Sequence, residues 1–312
     1  MDSSALQGRL IFAIPKKGRL YEKSLELLKG ADIQFRRSLR LDIALSTNQP
    51  VALVFLGASD IAKFVAGGNV DIGITGQDML VENVSQVVQL LPLGFGRCDL
   101  CIQVPIASKI TDPAELVGKR IVTSFETITN RYFHALEQNI APEMIKQGLL
   151  TVKPFQGETR TQVTYVGGSV EAACSLGLAD AIIDLVESGE TMRAAKLMPI
   201  ETIMSSQAVL ICNPQKHDSN PLIETIKRRI EGVIAADRFA LCNYNVRRSN
   251  LAAATKLTPG KTAPTVSPLE NEDWVAVSSM VVKKDVAVIM DKLTLAGAED
   301  ILILEIHNCR VR

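Results

Sequence analysis

Short apolar runs alternate with amphipathic stretches between residues 9 and 212, and small polar loops separate them. Uninterrupted apolar runs are typical of buried strands, whereas apolar positions three or four residues apart indicate helices. Strands are predicted at 9–14, 51–56, 70–76, 97–104, 118–124, 162–166, 179–183 and 201–212. Helices are predicted at 21–28, 58–66, 128–138, 171–177 and 192–197. This alternation predicts an α/β region built on parallel sheets.

Two of the predicted strands, 97–104 and 201–212, are long and bracket the α/β segment between them. We therefore expect two lobes joined by two strands, with a ligand crevice between the lobes. The first lobe would comprise 1–104 and 197–217, and the second would comprise 105–196. The chain changes character after Pro221, where strands and helices follow in the order β-α-β-β-α-β. That order predicts a ferredoxin-like α+β domain over residues 218–312.

The loop Glu187-Ser188-Gly189-Glu190-Thr191 follows the apolar run at 179–183 and precedes a predicted helix. Unpaired backbone N–H groups at a helix start favour anions, so the loop is a candidate phosphate site. Asp180 and Asp184 interrupt the apolar run, which is unfavourable unless they have partners. We expect both at the end of the strand, where they would hold ribose hydroxyls or Mg2+. An ordinary strand-to-helix turn with an N-capping Ser or Thr explains the loop equally well.

Three further small-residue loops, at 15–19, 75–78 and 123–127, follow predicted strands and are expected to face the same crevice. The first carries Lys16 and Arg19, the second carries Asp78, and the third begins with Thr123 and Ser124. The alternatives are a solvated basic turn for the first loop and plain N-capping for Asp78.

The amino-acid composition limits the kinds of binding partner that we expect for this chain. The chain has 312 residues and 47% hydrophobic content, and Lys plus Arg and Asp plus Glu both number 34. This balance gives no electrostatic reason to expect nucleic acid or an anionic membrane as a partner. We see no transmembrane segment and no signal peptide, and we expect a cytoplasmic protein with free, reduced thiols. Cys98 and Cys101 would project to opposite faces of one strand, which is a poor arrangement for zinc.

Several motifs together resemble the ATP phosphoribosyltransferase family, in its long form with a C-terminal regulatory domain and with fungal members in particular. They are Phe12 to Leu20, Asp71 to Gly76, Gly118 to Ser124, Gly168 to Ala173, Asp180 to Leu197 and Trp274 to Met280. The resemblance covers nearly the whole chain. It implies a two-lobed, periplasmic-binding-protein-like catalytic region followed by the ferredoxin-like domain. It also implies transfer of a phosphoribosyl group from phosphoribosyl pyrophosphate to ATP, with Mg2+, as the first step of histidine biosynthesis.

The resemblance implies a role for each candidate residue. Glu187 to Thr191 would cradle the 5′-phosphate, Asp180 and Asp184 would hold ribose hydroxyls or Mg2+, and Asp78 would lie near the metal. Lys16 and Arg19 would neutralise pyrophosphate or ATP phosphates, helped by Thr123 and Ser124. No dedicated base or nucleophile is expected, because positioning and charge stabilisation suffice for this kind of transfer.

Regulation is also implied by the resemblance. It predicts feedback inhibition by histidine and a homo-oligomer that assembles from dimer to hexamer. The candidate histidine-binding residues are Asn245, Ala263, Thr265, Met280 and Asp300. Two other classes of function stay open at this stage: a two-lobed small-molecule binding protein and a catalytically inactive regulatory homologue.

Overall fold

The computed structural model describes residues 6–37, 41–146 and 160–310, with backbone alone for 140–146. The chain forms two compact units. The first contains the residues up to Ser24, Arg37–Leu45 and Pro50–Ser219. The second contains Leu25–Arg36, Ser46–Gln49 and the residues from Asn220 onward. The short segments before residue 50 that belong to the second unit were not foreseen from the sequence.

The first lobe of the first unit is built on a six-stranded sheet in the order β2-β3-β1-β4-β11-β5, in which β11 (Ala208–Cys212) comes from the later part of the chain. Its elements before the first crossover are β1 (Leu10–Pro15), the part of α1 (Arg19–Gly30) up to Ser24, β2 (Ile43–Leu45), β3 (Val51–Leu56), α2 (Ala58–Ala66), β4 (Ile72–Gly76), α3 (Gln77–Glu82) and β5 (Val88–Pro92). The central pairs, β1 with β3 and β1 with β4, are parallel. Strands β2, β5 and β11 pair antiparallel, so the sheet is mixed rather than parallel throughout.

The second lobe is built on a five-stranded sheet in the order β10-β6-β9-β7-β8. Its elements are β6 (Cys98–Pro105), β7 (Arg120–Thr123), α4 (Glu126–Lys146), β8 (Gln162–Tyr165), α5 (Ala172–Ser175), β9 (Ala181–Val186), α6 (Glu190–Ala194) and β10 (Leu197–Ser206). Leu100, Ile121 and Ile183 are fully buried in its core. Strands β6 and β10 pair with each other here, whereas the sequence had assigned both to the first lobe.

The chain passes between the two sheets twice. It leaves the first sheet between Pro92 and Cys98, and it returns at Gln207, between β10 and β11 (Ala208–Cys212). The crossovers run side by side, because Leu93 N–H donates to the Ala208 carbonyl at 2.9 Å and Ala208 N–H donates to the Phe95 carbonyl at 3.0 Å. The predicted strand 201–212 is therefore two strands, one in each sheet.

The first unit ends with α7 (Pro214–His217), and the second unit has the predicted ferredoxin-like order. Its elements are α8 (Pro221–Arg238), β12 (Phe239–Arg247), α9 (Leu251–Leu257), β13 (Thr265–Pro268), β14 (Trp274–Val282), α10 (Val286–Leu295) and β15 (Ala298–Glu305). The sheet order is β13-β14-β12-β15, and every pair is antiparallel. Alternate residues of β12 and β14, such as Tyr244 and Val277, are buried against α9 and α10.

Two local predictions around the phosphate loop were wrong. The helix predicted at 192–197 is shorter and begins earlier, at Glu190, and Leu197 already opens β10. Asp180 precedes β9 instead of standing at its end, so it lies at the amino-terminal end of the strand. Glu187 lies seven positions further on, or roughly 23 Å of extended chain at about 3.3 Å per residue. In the part of the chain that the structure describes, no helix is long and apolar enough to cross a membrane.

Candidate functional site

A cavity of about 290 Å3 lies in the first unit where β9 ends. It is lined by Arg19, Gln103, Glu171, Asp184, Leu185, Val186, Glu187, Ser188, Gly189, Glu190, Thr191 and Met192. The cavity thus brings together three groups proposed from the sequence: the loop 187–191, Asp184 and Arg19. Two of these groups come from the second lobe, and Arg19 comes from the first.

The loop between β9 and α6 has a backbone conformation that depends on a glycine. Gly189 has a φ of 75°, in the left-handed region that favours glycine. Arg193 Nη2 donates to the Ser188 carbonyl at 3.0 Å, so that oxygen already has a partner within the protein. Within the described residues, the backbone N–H groups of Thr191 and Met192 have no hydrogen-bond acceptor. The loop therefore offers N–H and hydroxyl donors to an anion.

Asp184 lies within β9, paired in register with Cys101 of β6. Gln103 Nε2 donates to its backbone carbonyl at 3.1 Å, and one carboxylate oxygen accepts from the N–H of Leu185 at 2.8 Å. Burial raises the pKa of the Asp184 carboxyl above its usual value, and nearby Glu171 acts in the same direction. The Leu185 N–H and Arg19 oppose that shift. Asp184 is thus a partly desolvated carboxylate aimed at the cavity.

Arg19 begins α1 and reaches a buried acid of the same lobe. Its Nη2 atom lies 3.8 Å from Asp78 Oδ2, and the Asp78 side chain is almost fully buried. The other oxygen of Asp78 accepts a 2.8 Å hydrogen bond from Ser206 Oγ. Asp78 stands at the start of α3, as predicted, but its carboxylate is occupied by protein partners. Plain N-capping does not describe it, because the carboxylate faces Arg19 and Ser206.

A second cavity, of about 420 Å3, adjoins the first and shares Val186 and Glu187 with it. Its other lining residues are Gln77, Arg97, Cys98, Asp99, Ser205, Ser206 and Gln207. Most of these residues lie in or next to the two crossovers between the lobes. Two polar cavities that meet at the end of β9 leave room for two ligands side by side.

Asp180 and Thr123 are among the predicted residues that line neither cavity. Asp180 pairs with Arg120 at the far end of β9, with Oδ1 3.0 Å from Nη2, so it is not close to the phosphate loop. Thr123 is fully buried, and its Oγ1 donates to the Ile183 carbonyl at 2.7 Å and accepts from the N–H of Phe125 at 2.9 Å. Its hydroxyl therefore fastens β7 to β9.

Two other predicted residues are more accessible. Ser124 is partly exposed, one residue beyond the end of β7. Lys16 follows β1, has a side chain that is 43% exposed, and lies 3.9 Å from Asp42. Neither residue lines the two cavities.

The carboxylates predicted to bind Mg2+ can be compared with their positions in the structure. Mg2+ usually binds through one or two carboxylates together with substrate phosphates, rather than in an all-protein cage. No cluster of three or more potential metal ligands occurs among the described residues. Asp184, supported by Glu171 across the cavity, fits this pattern. Asp78 and Asp180 do not fit, because each is already paired with an arginine.

The candidate histidine-binding residues lie in the second unit and do not form one compact group. Asn245 Nδ2 donates to Asp300 Oδ2 at 2.9 Å. Thr265 lies on β13, at the opposite edge of the sheet from β15, about 14 Å away at ~4.8 Å per strand. Met280 lines a different cavity, of about 400 Å3, with Phe239 and Asp285. Ala263 lies beside Gly260 in the loop before β13.

Sequence reasoning missed Gln103, Glu171 and Ser206, which line the cavities. Glu171 had a usable signal, because it follows the small-residue loop Gly167-Gly168-Ser169. Gln103 and Ser206 stand inside strands and carry no local pattern that separates them from other strand residues.

Two sheets linked by paired crossovers, with a phosphate-type loop, a buried carboxylate and an arginine at their junction, define a two-lobed α/β protein that binds phosphorylated ligands. A sequence profile described as ATP phosphoribosyltransferase matches residues 57–232, and one described as HisG, C-terminal domain matches residues 236–308. The chain belongs to the ATP phosphoribosyltransferase family, pentosyltransferase enzymes of histidine biosynthesis.

Individual relatives support this membership. The chain is 55% identical over 307 residues to the ATP phosphoribosyltransferase of Yarrowia lipolytica, covering 98% of each chain. It is 50% identical over 306 residues to that of Saccharomyces cerevisiae, again covering 98% of each. Its fold is similar to that of the ATP phosphoribosyl transferase (HisG:HisZ) complex from Thermotoga maritima, with a TM-score of 0.59 at 24% identity, covering 73% of this chain and 98% of that one.

Proposed function

We propose that the protein transfers the phosphoribosyl group of phosphoribosyl pyrophosphate to N1 of the adenine of ATP, at the junction of the two cavities. A bond forms between N1 and C1 of the ribose, the bond from C1 to the pyrophosphate oxygen breaks, and pyrophosphate leaves with the electron pair. The observation that carries the proposal is the meeting of the loop 187–191, Asp184 and Arg19 at one cavity.

The first cavity suits phosphoribosyl pyrophosphate. The loop 187–191 would bind the 5′-phosphate through backbone N–H groups and the hydroxyls of Ser188 and Thr191. Asp184 would accept hydrogen bonds from the ribose hydroxyls. Its negative charge would also favour the positive charge that develops on the ribose ring as pyrophosphate departs. In this site the protein's work is alignment and charge stabilisation.

The pyrophosphate would lie towards Arg19, whose guanidinium offers several N–H donors to phosphate oxygens. Lys16, three positions before Arg19 in the chain, and Ser124 of the second lobe lie outside the cavity lining and would contribute after the lobes adjust around the substrate. Mg2+, held by Asp184 and Glu171 with substrate oxygens, would neutralise part of the pyrophosphate charge when bound.

The second cavity would receive ATP. The amides of Gln77 and Gln207 offer both hydrogen-bond donors and acceptors for an adenine edge, and Arg97 offers a charge for a phosphate. Because the two cavities share Val186 and Glu187, an adenine in the second would lie beside a ribose in the first. The shared boundary supports direct attack without a covalent enzyme intermediate.

The finer properties implied by the family are proposals for this chain. Histidine would inhibit by binding the ferredoxin-like domain, with Asn245 and Asp300 as the pair best arranged to hold its amino group. Thr265 and Met280 lie apart from that pair. We therefore propose two alternative positions for histidine in that domain, one at the pair and one on the side of Thr265 and Met280. The protein would be cytoplasmic and form a homo-oligomer, from dimer to hexamer.

The test is pyrophosphate release by the purified protein with ATP, phosphoribosyl pyrophosphate and Mg2+, with and without millimolar histidine. We expect release that requires both substrates and falls when histidine is present. Release without histidine sensitivity would overturn the regulatory proposal and leave the catalytic one. A folded sample that binds the substrates and releases no pyrophosphate would identify an inactive homologue.

A further inference from the structure

Ser206 is a buried residue at the returning crossover between the two lobes, with 5% of its surface exposed. It is the last residue of β10, and Gln207 alone separates it from β11. Its Oγ donates to Asp78 Oδ1 at 2.8 Å and accepts from the backbone N–H of Asp78 at 3.1 Å. A single hydroxyl thus holds both the main chain and the side chain of Asp78.

Asp78 is a buried carboxylate with 2% of its surface exposed. A buried charge is costly unless it is paired and hydrogen-bonded. Its two oxygens have different partners: Oδ1 meets Ser206, and Oδ2 faces Arg19 at 3.8 Å. Gly76 leaves space for this rotamer, because a Cβ there would overlap Asp78 Oδ1. Ser206 and Gly76 together therefore fix the direction in which Oδ2 points.

Arg19 connects this network to both cavities. It lines the first cavity beside Asp184, and its positive charge lies close enough to Cys98, which lines the second cavity, to oppose the rise that burial causes in the pKa of that thiol. Its side chain is 27% exposed, so its guanidinium is held by the protein on one side and open to a ligand on the other. The long side chain of Arg19 loses conformational entropy when it is held in one place by a substrate. Because the Asp78 carboxylate already holds it in the free protein, less entropy is lost when the substrate binds.

We infer that Ser206 is a positioning residue: it orients Asp78, and through Asp78 it fixes the guanidinium of Arg19 where the pyrophosphate leaves. This inference rests on the proposed role of Arg19. Because Ser206 stands next to the crossover at Gln207, one hydrogen bond of 2.8 Å and one ion pair at 3.8 Å link the connection between the lobes to Arg19.

The test compares Ser206→Ala and Ser206→Thr with the wild type in the pyrophosphate-release assay. Displacing a charge-stabilising group by about 1 Å can lower the rate by roughly 100-fold, so we expect Ser206→Ala to lower kcat by about 10- to 100-fold. Ser206→Thr keeps the hydroxyl and should recover most of the activity. Ser206→Cys has a similar volume and a weak donor, and it should behave like Ser206→Ala if the alanine variant does not fold.

Ser24→Ala is the matched control. Ser24 is also fully buried, and its Oγ donates to the Leu20 carbonyl at 2.6 Å within α1, the helix that Arg19 begins. We expect Ser24→Ala to lower the melting temperature about as much as Ser206→Ala while leaving kcat within a few-fold of the wild type. If both variants lower kcat equally, Ser206 has a structural role only, and the inference is wrong.

A double-mutant cycle separates this inference from the proposed function. If Ser206 acts through Arg19, adding Ser206→Ala to Arg19→Ala should cause little further loss of kcat. An equal loss of kcat in both backgrounds would overturn the inference. Near-wild-type activity of Arg19→Ala alone would instead overturn the proposed role of Arg19, and with it the basis of the inference.

Discussion

Arg120 and Asp180 form a two-pronged ion pair across the amino-terminal ends of β7 and β9. Arg120 Nη2 lies 3.0 Å from Asp180 Oδ1, and Nε lies 3.2 Å from Oδ2. The backbone N–H of Arg120 also donates to Oδ2 at 3.0 Å. These hydrogen bonds hold the pKa of the Asp180 carboxyl below its usual range. Asp180 thus aligns two neighbouring strands and stands away from the ligand cavities.

The first prediction follows from that pair: Asp180→Asn should keep kcat within a few-fold of the wild type and lower the melting temperature by a few degrees at neutral pH. The pKa of Asp180 is depressed in the folded state, so its contribution is present above the unfolded pKa of about 3.9 and disappears as pH falls through the folded value. Melting curves of both proteins from neutral to acidic pH should therefore converge. A large loss of kcat in this variant would contradict the prediction and indicate that Asp180 contributes to substrate binding or turnover.

The second prediction concerns Asp184, four residues further along the chain and inside β9. Asp184→Asn should lower kcat by about 100-fold or more, because it removes the charge proposed to stabilise the ribose transition state. Its melting temperature at neutral pH should equal or exceed that of the wild type. Burial raises the pKa of Asp184, so the ionised form is disfavoured in the folded protein, and removing its charge relieves that cost. Unchanged turnover would exclude Asp184 from the reaction.

The third prediction is a pH profile. If ionised Asp184 is required, kcat/KM for phosphoribosyl pyrophosphate should fall on the acid side with a pKa above the usual value of about 3.9. The direction follows because desolvation favours the protonated carboxyl in the free enzyme. The residual activity of Asp184→Asn should lack this acid limb. An identical limb in wild type and variant would assign it to another group.

The fourth prediction uses two glycines with the same backbone conformation. Gly189 in the phosphate loop and Gly177 outside the cavities have φ values of 75° and 71°. Alanine should cost roughly 1–2 kcal/mol of stability at either position, because L-residues disfavour this region. Only Gly189→Ala should also raise KM for phosphoribosyl pyrophosphate, since its Cβ would lie 2.8 Å from Arg193 Nη1 and disturb the loop. Equal kinetic effects of both variants would argue against a phosphate site at this loop.

The fifth prediction concerns a contact from the first lobe to the second. The Glu82 carboxylate accepts from the N–H groups of Thr127 at 2.9 Å and Ile128 at 3.1 Å, in the first turn of α4. Loss of such a cap typically costs about 1 kcal/mol, so Glu82→Ala should lower the free energy of unfolding by about that amount. Glu126→Ala is the control, because Glu126 is exposed in the same turn. Urea denaturation of both variants measures the difference, and equal losses would show that charge alone matters.

Much of the fold was predictable because it depends on local pattern. The helix at α2 was predicted to end before the glycines at 67 and 68, and its C-cap is Gly67. Asp112 caps the short helical turn Pro113–Leu116, and its side chain accepts a hydrogen bond from the N–H of Ala114 at 2.8 Å. The order of strands and helices after Pro221 likewise predicted the ferredoxin-like arrangement. Such signals act over a few residues, so the sequence displays them directly.

Short strands at sheet edges were not predictable. Ile43–Leu45 and Val88–Pro92 carry little hydrophobic periodicity, and each forms because a neighbouring strand supplies its backbone hydrogen bonds. The strand predicted at 201–212 was likewise not recognised as two strands, because its division depends on which neighbouring strands supply its hydrogen bonds. Its apolar pattern does not reveal that Gln207 leaves one sheet and enters another.

By itself, the sequence determined the α/β alternation, the ferredoxin-like domain and the family, and it singled out the loop 187–191 as the candidate phosphate site. The tertiary structure alone decided which polar residues meet at the site. Asp180 and Asp184 look alike in sequence, since residues four apart in a strand project to the same face. One meets Arg120, sixty residues earlier, and the other meets the cavity. Ser206 and Asp78 are 128 residues apart and touch because two strands cross between the sheets. Local pattern fixes local structure, whereas contacts between distant residues depend on how the sheets assemble.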